Sequence, residues 1–155
     1  MMSKSIKKII VINGPNLNNL GKRNNNLYGN ESLGDVENKM IKNAKENNFE
    51  ISFFQSNHEG EIVDFIQKLN KDKISGIIIN AGALSQVGYS ILDALIDMSP
   101  IKFIEVHISN VFSREEFRQK SVFAKYAEGQ ICGLGTYGYL AAMNFFINNK
   151  DQLND

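Results

Sequence analysis

Two rhythms of apolar residues alternate along this chain. Short unbroken aliphatic runs, of the kind that fill a strand buried on both faces, are separated by longer segments whose apolar positions recur every three or four residues. Residues 9–12, Ile-Ile-Val-Ile, read as a first buried strand, and Asn13-Gly14-Pro15-Asn16 stops it with turn chemistry. Ser32 is placed to cap a helix running to about Asn48, with Val36, Met40, Ile41 and Ala44 on one face. Residues 49–55 read as a second strand. Residues 59–71 form an amphipathic helix, with Ile62, Phe65, Ile66 and Leu69 at helical spacing and acids in the first turn.

The alternation continues to the end. Residues 77–79 (III) predict a third strand that runs out into Asn80-Ala81-Gly82, followed by a helix over 90–98 closed by Pro100. Residues 101–107 predict a fourth strand, with a short helical turn over 114–117 beyond it. Residues 129–134 predict a fifth strand, and residues 137–148 a final, broadly apolar helix. Strands alternating with helices argue for an α/β fold, a parallel sheet covered by helices on both faces. Five strands in so short a chain point to the flavodoxin-like arrangement. No internal repeat and no long linker divides the 155 residues, so a single domain over 1–155 is expected.

Composition narrows the function classes. Seventeen basic residues balance seventeen acidic ones, so no global field draws nucleic acid or an anionic membrane, and any anion must be caught locally. One cysteine, Cys132, rules out an intrachain disulfide and a cysteine-only metal site, and fits a reducing cytoplasm. Only four aliphatics follow the lysines of the N-terminal stretch before Asn13, too short a run for a signal-peptide core or a membrane span.

The strand ends carry the candidate chemistry. Strand one delivers Asn13 and Asn16, strand three Asn80, and strand four Glu105, His107, Ser109 and Asn110. In a parallel sheet these gather along one edge, where open α/β folds bind ligands. The loop after strand one adds Arg23 and Tyr28 between Gly21 and Gly29. A single asparagine at such a place is a turn former; three polar clusters converging with an arginine and a tyrosine are a pocket. Glu105 and His107, two apart on a strand, share a face, so the carboxylate can orient and charge the imidazole.

The segments GPNLNNLGKRNNNLYG, QSNHEGEI, INAGALSQVGYSILDAL, EVHISNVFSREEFRQKS and GLGTYGYLAA, in this order between residues 9 and 142, resemble type II 3-dehydroquinate dehydratase. The resemblance implies loss of water from 3-dehydroquinate to give 3-dehydroshikimate with no metal or organic cofactor, in shikimate biosynthesis or quinate breakdown. It also implies a homo-oligomer, a dodecamer assembled from trimers.

Site residues follow from the matching positions. Tyr28 stands at the family's base position. A free tyrosine, with a pKa of about 10, is only ~0.1% ionised at neutral pH, so such a base needs a cation, and the matching arginine is Arg23. Asn16 matches the amide that helps hold the developing enolate oxygen through water, and His107 the acid that protonates the departing hydroxyl. The amides of Ile108 and Ser109, with the Ser109 hydroxyl, match the cradle for the substrate carboxylate. Asn80 matches a ligand of the leaving hydroxyl and Arg118 a contact to another ring hydroxyl, while Asp93 matches a residue that reaches a neighbouring subunit's site. Arg114 and Glu115 read as a surface ion pair or a subunit contact, and His58 as a structural residue at a helix start.

Two positions depart from the pattern. Ala81 follows the strand-three asparagine where the family commonly has proline, which loosens a turn. Gln86 stands where the family has a histidine that binds a ring hydroxyl; glutamine keeps donors and an acceptor but carries no charge. Gln86 is the motive for an alternative, a divergent, weakly active or inactive binding protein on the same scaffold. A flavodoxin or receiver-type module is a third option, but GPNLNN supplies neither a hydroxyl-rich phosphate loop nor an acidic cluster.

Overall fold

The computed structural model describes residues 7–149; the N-terminal stretch and the last six positions, parts of the expected single domain, lie outside the described residues. Five parallel strands, β1 (Lys7–Asn13), β2 (Phe49–Gln55), β3 (Ile74–Asn80), β4 (Phe103–His107) and β5 (Gly129–Cys132), form one sheet in the order β2-β1-β3-β4-β5. This is the flavodoxin-like order, which reverses direction between β1 and β3 and opens a crevice there.

Helices cover both faces. On one, Ile9, Val11, Ile78, Ile104 and Val106 pack against Val36, Met40 and Ala44 of α2 (Leu33–Glu46) and Ala142, Met143 and Phe146 of α5 (Tyr137–Asn148). On the other, Ile10, Ile12, Ile77 and Ile79 pack against Ile62 and Ile66 of α3 (Glu59–Gln67) and Ile91, Leu92 and Leu95 of α4 (Tyr89–Asp97). Period-two alternation thus splits each apolar run between two cores, which is why the runs show no polar positions. Ser32 caps α2 as expected: its hydroxyl accepts from the Asp35 amide while the Asp35 carboxylate takes the Ser32 amide, a reciprocal box that contributes about 1 kcal/mol.

Several boundaries differ from the sequence reading. The helix expected over 59–71 stops at Gln67, because Asn70 accepts from the Asp72 amide and starts a separate 3₁₀ turn, Lys71–Lys73. β3 begins three residues before Ile77: Gly76 is part of the strand, and a Cβ there would meet the Phe146 ring at 2.4 Å. β4 starts at Phe103, later than expected, and β5 ends at Cys132, before Gly133 turns into a left-handed conformation with φ +82°. The turn expected over 114–117 is a 3₁₀ turn at Glu116–Gln119. A short helix that the asparagine-rich loop concealed, α1 (Asn25–Tyr28), is capped by the Asn24 side chain, which accepts from the Asn26 amide at 3.1 Å. No helix among the described residues is long and apolar enough to cross a membrane.

Candidate active site

The site lies at the carboxyl ends of β1, β3 and β4. Gly14 donates its amide to the Asn80 carbonyl at 2.8 Å and ties the first two strand ends together. A Cβ on Gly14 would sit 2.5 Å from the Ala81 carbonyl oxygen, so this approach demands glycine. The turn at Ala81 is closed without proline: Asn80 Oδ1 accepts from the Gly82 amide at 3.2 Å, and the Ala81 carbonyl from the Leu84 amide at 3.1 Å. Asn16 adopts a left-handed conformation (φ 69°), held by its amide's 2.9 Å bond to Asn57 Oδ1.

One cavity brings together Asn16, Arg23, Tyr28, Asn80, Gln86, His107, Ile108, Ser109 and Arg118, nine of the positions singled out in the sequence. Two others stand apart. Glu105 lies behind His107, fully buried, and Asp93 is exposed on α4 and does not line this chain's cavity.

On the floor of the cavity, Glu105 Oε1 lies 2.8 Å from His107 Nε2. That pairing leaves Nδ1 as the free ring nitrogen. Asn80 is fixed from below by Tyr139, which accepts from Asn80 Nδ2 at 2.8 Å and donates to Asn13 Oδ1 at 2.6 Å. Burial pushes the Tyr139 hydroxyl well above the ordinary tyrosine range, which keeps it a neutral donor.

Tyr28 lines the same cavity, half-buried at the end of α1. Arg23 lies over its ring, with the guanidinium carbon 4.5 Å from the centroid. The direct hydrogen bond to the hydroxyl comes from elsewhere: Arg114 Nη1 donates to Tyr28 at 3.0 Å and to the Ser109 hydroxyl at 3.0 Å. The reading of Arg114 as a surface residue is therefore corrected. It does pair with Glu115 (3.6 Å), but its side chain is 13% exposed and faces the cavity. Glu115 also accepts from Arg118 at 2.8 Å, so one carboxylate aligns both guanidiniums; its own amide and Arg118 hold it below the usual carboxylate range. Helical spacing gave no signal for Arg114, because it is extended (φ −113°, ψ −163°) and precedes the 3₁₀ turn that carries Arg118.

Gln86 donates its amide nitrogen to the Lys120 carbonyl at 3.2 Å, leaving its oxygen as the less committed end. His58 stands at the start of α3 but makes no side-chain cap. Ser56 does that work, bonding Glu61 and accepting from the His58 amide at 2.9 Å. Among the described residues no cluster of three or more histidine, cysteine, aspartate or glutamate side chains is suited to a metal ion.

Comparison with known proteins identifies the family. The family described as dehydroquinase class II matches residues 7–147. A 3-dehydroquinate dehydratase of Thermotoga neapolitana is 49% identical over 138 residues, covering 89% of this chain and 92% of that protein. A catabolic 3-dehydroquinase of Debaryomyces hansenii is 49% identical over 143 residues, covering 92% of this chain and 99% of that protein. The crystal structure of a type II dehydroquinase from Butyrivibrio crossotus superposes with a TM-score of 0.88 at 49% identity, covering 92% of this chain and 98% of that one. The protein with Tyr28, Arg114 and the Glu105–His107 pair around one cavity belongs to the class II dehydroquinase family.

Proposed function

We infer that this chain is a type II 3-dehydroquinate dehydratase, a hydro-lyase that removes water from 3-dehydroquinate through an enolate to give 3-dehydroshikimate. The observation that carries the reading is the presence in one cavity of two proton-handling groups: a tyrosine hydroxyl held by a guanidinium, and an imidazole held by a buried carboxylate.

Tyr28, as phenolate, takes the proton from the carbon beside the ketone, and the C–H electron pair becomes the enolate. Arg114 and Arg23 offset the negative charge on Tyr28. Asn16 polarises the enolate oxygen through a water. The enolate then collapses: the carbon–oxygen bond to the leaving hydroxyl breaks, His107 as imidazolium, its Nε2–H on the Glu105 carboxylate, gives up its Nδ1 proton, and water departs, leaving the ring neutral. Tyr28 returns its proton to His107 through solvent, which closes the cycle.

Binding follows from the same geometry. The Ile108 and Ser109 amides receive the substrate carboxylate, and the Ser109 hydroxyl, which accepts from Arg114, keeps its own proton for that carboxylate. Asn80, Gln86 and Arg118 meet the ring hydroxyls. Asp93 serves a neighbouring subunit's site within a dodecamer assembled from trimers. Val87 and Tyr89, 62% and 64% exposed beside α4, supply apolar area for that contact. The protein is a single-domain, cytoplasmic enzyme of the shikimate pathway.

The test is an absorbance assay for the conjugated enone on addition of 3-dehydroquinate. A steady rise is expected, and no rise at high enzyme concentration overturns the reading. Light scattering checks the assembly: a fully active monomer removes Asp93 from the site.

A further inference from the structure

The Glu105 carboxylate is held by more than the histidine. Ser121 Oγ lies 2.8 Å from both Glu105 oxygens, and Gln130 Nε2 lies 2.9 Å from Oε2. Gln130 reaches it because β4 and β5 pair with Glu105 opposite Gln130, which places the two side chains on one face. The Ser121 hydroxyl has little freedom of its own: its oxygen accepts from the amides of Phe123 (3.1 Å) and Ala124 (3.2 Å). With those lone pairs taken, its single proton is directed at Glu105.

Every partner of the carboxylate therefore donates. Gln130 offers its NH₂, Ser121 its hydroxyl proton, and the remaining neighbour, His107 Nε2, completes the set at 2.8 Å. A carboxylate so surrounded accepts, and His107 must carry its hydrogen on Nε2 toward it. The ring orientation that turns Nδ1 to the cavity, with Nε2–H anchored on the carboxylate so that the proton on Nδ1 of the imidazolium is the one transferred, is thus fixed two contacts away from the substrate.

We propose that Ser121 and Gln130 are positioning residues for proton delivery by His107, acting through Glu105. The proposal rests on the reading of His107 as the acid in 3-dehydroquinate dehydration. Ser121 also links this clamp to the substrate-binding turns, because the adjacent Lys120 carbonyl accepts from Gln86 and the Val122 amide donates to the Ser85 carbonyl at 2.8 Å. The segment carrying Arg118 and the pair Glu105–His107 are set against each other by one serine.

The clamp predicts a selective effect. When proton delivery to the departing hydroxyl slows while proton abstraction by Tyr28 does not, the enolate returns to substrate more often than it goes forward. In D₂O, deuterium then accumulates in recovered 3-dehydroquinate, and the primary isotope effect on kcat for substrate deuterated at the abstracted position falls toward one. Ser121→Ala and Gln130→Met are expected to lower kcat by roughly 10–100-fold and somewhat less, respectively, with KM nearly unchanged, a partial loss of the 10²–10⁴ that general acid catalysis contributes. Ser121→Thr, which keeps the hydroxyl, restores both the rate and the isotope pattern. His107→Gln serves as the reference: it shows the largest ratio of deuterium exchange, above the enzyme-free rate, to product formation.

The proposal is overturned if His107→Gln shows this partition while Ser121→Ala and Gln130→Met keep the wild-type ratio, whatever happens to their melting temperatures. If His107→Gln itself leaves the partition unchanged, the acid assignment has failed instead. Gln130 lies on the edge strand β5, so Gln130→Met carries the test alone should Ser121→Ala not fold.

Discussion

The two proton-handling sides of the cavity are built by different means. On the floor, Glu105 and His107 are neighbours on one face of β4, and both are buried, Glu105 completely. Strand geometry puts the two on one face, and Ser121 and Gln130 hold the carboxylate 2.8 Å from the imidazole. On the other side, Tyr28 sits on a four-residue helix in an exposed loop, with Arg23 from that loop over its ring and Arg114 from a segment 86 positions away on its hydroxyl. Nothing local dictates that second meeting. One half is preorganised by the sheet, and the other is completed by loops.

Substitutions on the loop side should be the most damaging, because nothing else there can stand in. Tyr28→Phe removes the group proposed as base and should leave the fold intact, with kcat down by roughly 10²–10⁴. Near-normal kcat in a steady-state assay would assign the proton to another residue. Arg114→Ala and Arg23→Ala should each cost on the order of 10² in kcat, comparable to loss of one preorganised donor, while Lys22→Ala, whose side chain is exposed and does not line the cavity, stays close to wild type. Equal losses at Lys22 and Arg114 would mean that net positive charge matters rather than a placed guanidinium. Trypsin cleavage after Lys22 or Arg23 should slow when a substrate analogue is bound; unchanged cleavage at saturation argues against closure of this loop over the ligand.

The same division explains what the sequence disclosed. The sheet and its order were legible because aliphatic runs buried on both faces leave a plain signature, and the floor of the site was legible because two residues at strand spacing share a face. Ser32 announced its helix through the Asp35 box. Arg114 was misread because its contact with Tyr28 spans 86 positions and no periodicity encodes it. Ser121 and Gln130 were invisible for a similar reason: their meeting at Glu105 depends on the β4–β5 register and a turn closed by backbone amides. The broadly apolar helix α5 spends most of that surface inside, since Met143 and Phe146 are buried and Leu140, Phe145 and Ile147 pack against the same core. Large exposed apolar side chains lie at Val87, Tyr89, Phe112 and Leu134, and on α5 only at its first residue, Tyr137.

Between the two halves sits Gln86, where a smaller effect is expected. Its nitrogen spends one N–H on the Lys120 carbonyl at 3.2 Å, which leaves the ligand the amide oxygen and the second N–H of a flexible side chain. A histidine could keep one N–H on that carbonyl and present its other nitrogen to the ring hydroxyl. Gln86→His should then raise kcat/KM about tenfold, the value of one improved hydrogen bond of about 1–2 kcal/mol, chiefly through KM. A clear fall in kcat/KM would mean that the surrounding turn has been shaped to glutamine.

The smallest effect probes whether the floor is as closed as the loop side is open. Cys132 lies opposite His107 in the β4–β5 pairing and is half-buried. Burial, and then the nearby Glu105 carboxylate, push its thiol from 9.0 up to about 11. At pH 8, a thiol pushed up to about 11 has roughly a hundredfold less thiolate than one at 9.0, while the greater basicity of the sulfur returns about tenfold in reactivity. Alkylation by iodoacetamide should therefore run about tenfold slower in the folded protein than in urea, before any allowance for access. The sign of the shift also sets the pH dependence. Because the thiol is still protonated throughout, the folded-state rate should keep climbing about tenfold per pH unit from pH 7.5 to 9.5, where an unshifted thiol bends over. Glu105→Gln removes the lesser of the two causes and should speed the reaction by a smaller factor than unfolding does. A folded-state rate equal to that in urea, with the same bend near pH 9, would show that water reaches the floor of the site freely, and the contrast between a sealed acid side and an open base side would be lost.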